Sequence, residues 1–258
     1  MKLISIEDIN LPELLIYQQL RDNAFRADNS FVADSSKVVN LILESNIEVK
    51  SIFATQDYYD AFRELIKSKN IAKCYVATKE LMQTIVGHKV HHNVMLHGIR
   101  PKEVALGQLD DNIVMLDNIT SGENVGSIAR SASALGINSY LLPKQSPHPF
   151  GRRALRVSMG YASRLKVHIY DEIKQTLQRL KSQGYTIYAA EITENSTPLS
   201  EVTLTNKWVL LMGHEGHGIS KEILALCDKV VHIEMQAHVK SFNVAVAASI
   251  MMYNFQHK

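Results

Sequence analysis

Between Asn112 and the end of the chain, short apolar runs recur between segments of helical period, and this alternation constrains the fold more than any other feature of the sequence. A continuous run of about four to eight apolar residues suits a strand buried on both faces, whereas apolar residues three and four apart suit a helix with one buried side. The spacing predicts strands over 112–116, 139–142, 185–191, 207–212 and 230–234, and helices over 123–135, 152–162 and 171–182. Gly136 follows the first of these helices, where a left-handed cap belongs. Strands that alternate with helices pair in parallel, so the class is α/β, with a mostly parallel sheet covered by helices on both faces.

The same rhythm runs through the N-terminal part on a smaller scale. Helical spacing covers 12–22, 34–45 and 58–69, strands fall at 49–54 and 73–77, and a helix opens after Thr78, whose hydroxyl can cap it. Pro101, Gly107 and the adjacent Asp110 and Asp111 make 101–111 a connector. The chain therefore reads as a small α/β domain over 1–106 and a larger domain over 107–258, with no internal repeat.

Bulk properties exclude more than they select. A formal charge of +2 permits a polyanionic partner without requiring one. Cys74 and Cys227 stand far apart and outside any C-x-x-C pattern, which argues against a disulfide framework or a cysteine zinc site and fits a reducing cytoplasm. Lys2, Glu7 and Asp8 interrupt the first ten residues, and no stretch approaches the ~18 apolar residues of a span, so neither secretion nor a membrane partner is expected.

Three stretches carry chemistry. The first, D-N-I-T-S-G-E-N-V-G-S-I-A-R over 117–130, is a strand end, a polar turn and a helix start, where ligands of parallel sheets bind. Thr120 and Glu123 have capping-box spacing, so helix capping accounts for Glu123, while Asn124 and Arg130 can both reach toward a ligand over the turn. The second, L-L-M-G-H-E-G-H-G-I-S over 210–220, runs an apolar strand into a turn where Gly213, Gly216 and Gly218 allow close backbone approach or positive φ. The third, over 232–252, is a strand end, a loop and a helix rich in small residues, with Ser241 placed to cap it and Val244, Met251, Tyr253 and Phe255 available for a subunit interface.

In this order these stretches resemble the three motifs of the SpoU-type, TrmH-like methyltransferases of the SPOUT superfamily: N-x-G-x-x-x-R, G-x-E-G-x-G, and I-P-M followed by five residues and S-L-N-V. The resemblance covers about 112–255 and includes L-R-V-S-M-G at 155–160. It implies a SPOUT-like domain with a C-terminal trefoil knot, S-adenosyl-L-methionine as cofactor, a homodimer, and transfer of a methyl group to a ribose 2′-hydroxyl. That target makes RNA, not DNA, the substrate class. Carried over by position, Asn124, Arg130, Glu215, Ser241 and Asn243 form the catalytic set, and Leu211, Met212, Gly213, Ile233, Met235 and Phe242 cradle the cofactor. The chain departs from the pattern at Glu234 for Pro, Ala237 for Gly and Phe242 for Leu. F-V-A-D-S-S-K-V-V at 31–39 and H-H-N-V at 91–94 resemble segments of the small substrate-binding domain that precedes the catalytic domain in ribosomal RNA methyltransferases of the family, which favours ribosomal RNA over tRNA.

Arg152, Arg153 and Arg156 fall on one or two adjacent helix faces suited to RNA phosphates, or to a merely solvated surface. His88, His91, His92 and His97 cluster without a cysteine or carboxylate beside them, and H-E-G-H at 214–217 is one residue short of a zinc motif, so no metal is expected. Two other functions fit parts of the pattern. A nucleotide-binding oxidoreductase would use the Gly213 turn, although its order is G-x-x-G-x-G and it lies late in the chain. A non-catalytic RNA-binding protein would keep the fold and lose the cofactor.

Overall fold

In a computed structural model, which describes residues 2–6, 8–18, 28–87 and 92–258, the N-terminal part forms a five-stranded mixed sheet. Its elements are β1 (Leu3–Ser5), α1 (Leu15–Gln18), β2 (Ser30–Asp34), α2 (Ser36–Leu43), β3 (Glu48–Ala54), α3 (Gln56–Ala61), α4 (Arg63–Lys67), β4 (Lys73–Val76), α5 (Lys79–Val86) and β5 (Val94–Ile99). The strand order is β1-β4-β3-β5-β2, parallel from β1 to β3, with β5 antiparallel to both of its neighbours. Tyr17, Val32, Phe53, Tyr75, Met82 and Ile85 meet in its core, and the Tyr17 hydroxyl shares a 2.7 Å hydrogen bond with Ser51.

Thr78 caps α5 as its position suggested, accepting from the Leu81 N–H at 3.2 Å. The helix expected over 58–69 breaks at Phe62, whose φ of −120° and ψ of 25° leave the helical region. Of the helix expected over 12–22, a 3-10 turn at Pro12–Leu14 and the short α1 are present, and residues 19–22 lie outside the described residues. So do His88 and His91, while His97 shares a 2.9 Å hydrogen bond with the Ser30 hydroxyl. The strands β1, β2 and β5 are additional to those expected: β1 spans only three residues, and Ser30, Asp34, His97 and Gly98 interrupt the apolar pattern of β2 and β5 although every residue of β2 is buried.

The C-terminal part supplies β6 (Asn112–Leu116), α6 (Gly122–Ala134), β7 (Ser139–Pro143), α7 (Arg152–Val157), β8 (Lys166–Tyr170), α8 (Ile173–Ser182), β9 (Thr186–Ala190), β10 (Thr197–Pro198), β11 (Trp208–Met212), α9 (Lys221–Leu224), β12 (Lys229–His232) and α10 (Val244–Gln256). Its seven strands are all parallel, in the order β10-β12-β9-β11-β6-β7-β8. Alternate side chains serve opposite faces of this sheet. Val209 and Leu211 join Leu177, Leu180 and Ile223 in one core, while Trp208 and Tyr188 meet Phe255 of α10 edge-on at 5.2 and 5.3 Å. Gly136 ends α6 with φ +75°, the left-handed cap its place implied. Among the described residues no helix is long and apolar enough to cross a membrane.

The two compact units are Met1–Lys102 with Phe150–Ser163, and Glu103–Pro149 with Arg164–Lys258. This differs from a single cut at 106/107: α7 counts with the first unit. There the Phe150 ring meets Phe31 edge-on at 5.1 Å and Arg152 pairs with Asp34. The helix expected over 152–162 ends at Val157, since Met159 (φ 55°) and Gly160 (φ +89°) turn left-handed before a 3-10 turn at Tyr161–Arg164.

Candidate active site

From β6 the chain builds toward one edge of the second sheet through β7 and β8, then returns to place β11 on the other side of β6. Parallel sheets bind ligands outside the carboxyl ends of strands where the order reverses. The loops that leave β6 and β11 at that point are 117–121 and 213–220, the first two motif segments.

One carboxylate ties them. Glu215 accepts from the Asn124 carboxamide at 2.9 Å and from the backbone N–H groups of Thr120 and Ser121, each at 3.4 Å. Partial burial by itself would raise the Glu215 carboxyl, but these hydrogen bonds outweigh it and hold the group below the usual glutamate range. Asn124 in turn accepts from the Asn243 carboxamide at 3.2 Å. Asn243 caps α10, its side-chain oxygen taking the N–H groups of Ala245 at 2.9 Å and Val246 at 3.3 Å. Because the cap occupies the oxygen, the amide nitrogen must face Asn124, whose own nitrogen then faces Glu215. A helix cap thus orients two carboxamides and a carboxylate in series.

Two capping assignments change. Ser121, not Thr120, caps α6, accepting from the Asn124 N–H at 3.4 Å, since the helix starts only at Gly122. Asn243, not Ser241, caps α10, because the helix starts only at Val244.

The loop between β11 and α9 closes on itself. The Gly218 N–H donates to the His214 carbonyl at 2.9 Å, and the His214 ring Nδ1 accepts from the N–H groups of Gly216 at 2.9 Å and His217 at 3.3 Å. A Cβ on Gly213 would lie 2.5 Å from the Ile219 side chain and 2.6 Å from the Gly218 carbonyl carbon, so the turn needs glycine there for space; Gly218 needs it for a φ of +63°.

Beside this loop opens a cleft of about 770 Å³. Met212, Gly213, Ile233, Met235 and Phe242 line it, as do Glu215 and Ser241. Leu211 does not, because its side chain is wholly buried in the core with Val209, Ile187 and Ile223. Arg130 is exposed on α6, six residues from Asn124 and so on a different helix face; among the described residues it has no hydrogen bond or ion pair with the Glu215 network. In the first unit the Arg152 guanidinium lies 2.6 Å from the buried Asp34 carboxylate and that of Arg156 3.8 Å from it, while Arg153 is exposed. Of the residues suggested for a subunit interface, Met251 and Phe255 are buried within the chain; Val246 and Tyr253 are the exposed apolar residues of α10.

Three residues at this edge were assigned no role in the site from the sequence. Glu191, directly after β9, lines the cleft and contacts the glycine loop. His214 organises that loop, and its ring stacks on His217 with centroids 4.9 Å apart. Asp117, at the end of β6, is raised by burial, with His214 pulling weakly the other way. A polar residue at a strand's carboxyl end was the only available hint.

The sequence pattern of the SpoU rRNA Methylase family matches residues 111–253, which hold every member of the Glu215 network and the whole lining of the cleft. A protein of Staphylococcus saprophyticus assigned to the TrmH family of tRNA/rRNA methyltransferases is 33% identical over 146 residues, spanning 57% of this chain and 58% of that relative's length. Over almost the full chain, an AdoMet-bound rRNA methyltransferase from Sinorhizobium meliloti superposes with a TM-score of 0.85 at 19% identity, covering 99% of this chain and 98% of that one. The SpoU methyltransferase AviRb from Streptomyces viridochromogenes, solved with AdoMet, gives 0.83 at 20% identity, covering 95% and 98%. At such identities these two likenesses establish the fold. Given the family pattern over more than half its length, the chain belongs to the SpoU rRNA Methylase family.

Proposed function

We propose that this chain is an S-adenosyl-L-methionine-dependent RNA methyltransferase that acts on a ribose 2′-hydroxyl, with ribosomal RNA favoured over tRNA, and that it works as a homodimer. The observation that carries the reading is that the glycine loop and Glu215, the carboxylate end of the Asn243–Asn124–Glu215 series, line one cleft. The family match and the AdoMet-bound state of two proteins of the same fold support it.

The cleft suits the cofactor's chemistry. Met212, Ile233, Met235 and Phe242 offer an apolar wall for an adenine, and Glu215 lines the same space, where its negative charge would favour the cationic end. Bound there, the cofactor supplies an electrophilic methyl on a sulfonium. The chain's own part is to position the ribose oxygen and accommodate the proton it loses. Arg130 remains protonated at neutral pH and is a poor base. Its role in this reading is to hold the phosphate next to the target ribose and stabilise the developing alkoxide. Glu215, Asn124, Asn243 and Ser241 fix the loop and the cofactor, and Arg152, Arg153 and Arg156 add phosphate contacts. Val246 and Tyr253 are the exposed apolar side chains of α10 suited to the dimer.

Calorimetric titration with S-adenosyl-L-methionine, repeated on Ala247→Trp, tests the reading. Ala247 lines the cleft from α10, so a large ring there fills the space without breaking the glycine loop, as any side chain at Gly213 would. Binding by the wild type, lost in the variant, is expected. Incubation with ribosomal RNA and labelled cofactor should then leave label in alkali-resistant dinucleotides, since a methylated 2′-oxygen cannot attack its neighbouring phosphate. Label only in ordinary mononucleotides would point to base methylation, and no cofactor binding with RNA binding intact would favour a non-catalytic RNA-binding role.

A further inference from the structure

The glycine loop is held at two points, and only one belongs to the motif network. At its start Glu215 reaches out to the β6–α6 turn. At its end a second carboxylate reaches in. Glu191 follows β9, with its backbone N–H bonded to the Val231 carbonyl of β12 at 3.1 Å. Its Oε2 accepts from the Ile219 N–H at 2.9 Å and its Oε1 from the Ile192 N–H at 3.1 Å. A Cβ on Gly218 would collide with Glu191 Oε2, and the Ile219 side chain held by this contact is the group that a Cβ on Gly213 would strike at 2.5 Å.

We propose that Glu191 is a positioning residue for the cofactor site. Its carboxylate latches the end of the glycine loop to β9 and sets the loop's shape against the cleft, and Gly218 is glycine partly to leave room for it. The proposal rests on the reading of the cleft as a S-adenosyl-L-methionine site, but the latch itself is a property of the free protein. A carboxylate makes a short, charge-assisted bond to a backbone N–H, and two such bonds fix both of its oxygens. From inside the sheet, where β9 lies between β12 and β11, it transmits a fixed position to a segment that has no regular structure of its own.

Hydrogen–deuterium exchange over residues 213–219 and cofactor titration, both made on the wild type, Glu191→Ala, Glu191→Gln, Gly218→Ala and the double variant, test the latch. In Glu191→Ala, exchange in the loop should rise and cofactor affinity fall, each by roughly tenfold, the usual worth of a hydrogen bond to a charged group. Glu191→Gln keeps an acceptor for Ile219 and should recover most of both. Gly218→Ala should lose less affinity in the Glu191→Ala background than in the wild type, because the collision is gone and only the left-handed φ is left to resist it. Unchanged loop exchange in Glu191→Ala overturns the latch, as do unchanged affinity alongside faster exchange and full additivity of the two substitutions. If the wild type binds no cofactor while Glu191→Ala still loosens the loop and Gly218→Ala loosens it less in that background, the latch stands and the reading of its ligand falls.

Discussion

Asp34 in the first unit and Glu215 in the second are both carboxylates beyond or at the end of a buried strand, and they are held in opposite ways. Asp34 is 5% exposed and meets two guanidiniums, Arg152 at 2.6 Å and Arg156 at 3.8 Å, so its charge is cancelled where it stands. Glu215 is exposed and, among the described residues, its hydrogen bonds come from neutral donors, one carboxamide and two backbone N–H groups. Its position is fixed too, but without a cation among the described residues to cancel the negative charge it brings to the cleft that it lines. A paired charge builds structure, whereas a charge held by dipoles is left over for chemistry.

Removing each carboxylate should therefore damage different properties. Asp34→Ala removes the carboxylate that a partly buried guanidinium pairs with and is expected to cost about 3 kcal/mol of stability, at the lower end for broken buried pairs because Arg152 keeps some solvent. Urea unfolding reads this. Cofactor affinity should stay within threefold of the wild type, and a drop as large as that of a Glu215 variant would break the contrast. The same substitution sharpens the assignment of the arginines. With Asp34 gone, Arg152 and Arg156 are freer to meet phosphate, and the dependence of RNA affinity on salt should steepen by roughly one counterion for each added contact. In the Arg152, Arg153, Arg156 triple alanine variant it should flatten; an unchanged slope there would remove these residues from the RNA surface.

Glu215→Gln should show the converse, turnover falling by about 10²-fold with little change in unfolding midpoint, as expected when one preorganised charge is lost from an active site. The pH dependence follows from the depressed Glu215 carboxyl. Stabilisation from a carboxylate of lowered pKa is fully present above the ordinary glutamate value and disappears as pH falls through the lower value of the folded state. Loop protection against amide exchange should thus be constant from neutrality down to the ordinary glutamate range and decline below it. The Gln variant should lack that decline, and a wild-type loop equally insensitive to acid would remove Glu215 as the tie.

How much of this was legible in the sequence follows from the same contrast. In the second unit β6, β7, β9 and β11 were readable because they are apolar runs buried on both faces, and β6 begins and ends where its run does, whereas β8, with Lys166 and His168 in its run, and the two-residue β10 were not expected. In the first unit, β2 and β5 were missed: β2 buries Ser30 and Asp34 by pairing them with His97 and Arg152, partners 67 and 118 residues away that no local pattern announces. The motif residues Asn124, Glu215 and Asn243 could be named from spacing and resemblance, but not their order of contact, which depends on which oxygen a helix cap has taken. Glu191 left no trace, since its role depends on a backbone N–H 28 residues away and on the absent side chain of Gly218.

The smallest expected effect probes how the network is held in register. α6 and α10, which carry Asn124 and Asn243 near their starts, are pinned seven residues past Asn124 by a 2.7 Å bond between the hydroxyls of Ser131 and Ser249. Ser249 already donates to the Ala245 carbonyl at 2.7 Å, so Ser131 is the donor in the pair. Ser131→Ala leaves Ser249 with its own bond and removes only a proton it was receiving, whereas Ser249→Ala takes away the acceptor of the half-buried Ser131 hydroxyl. Both should cost no more than about 1 kcal/mol, with Ser249→Ala the larger, because a donor left unmade costs more than a lone pair left unused. Should the pin also set the 3.2 Å contact between Asn124 and Asn243, cofactor affinity will fall by a few-fold in parallel with stability. If stability falls by that amount and affinity does not move, the two caps hold the carboxamides by themselves, and the charge at Glu215 owes its position to the ends of the helices alone.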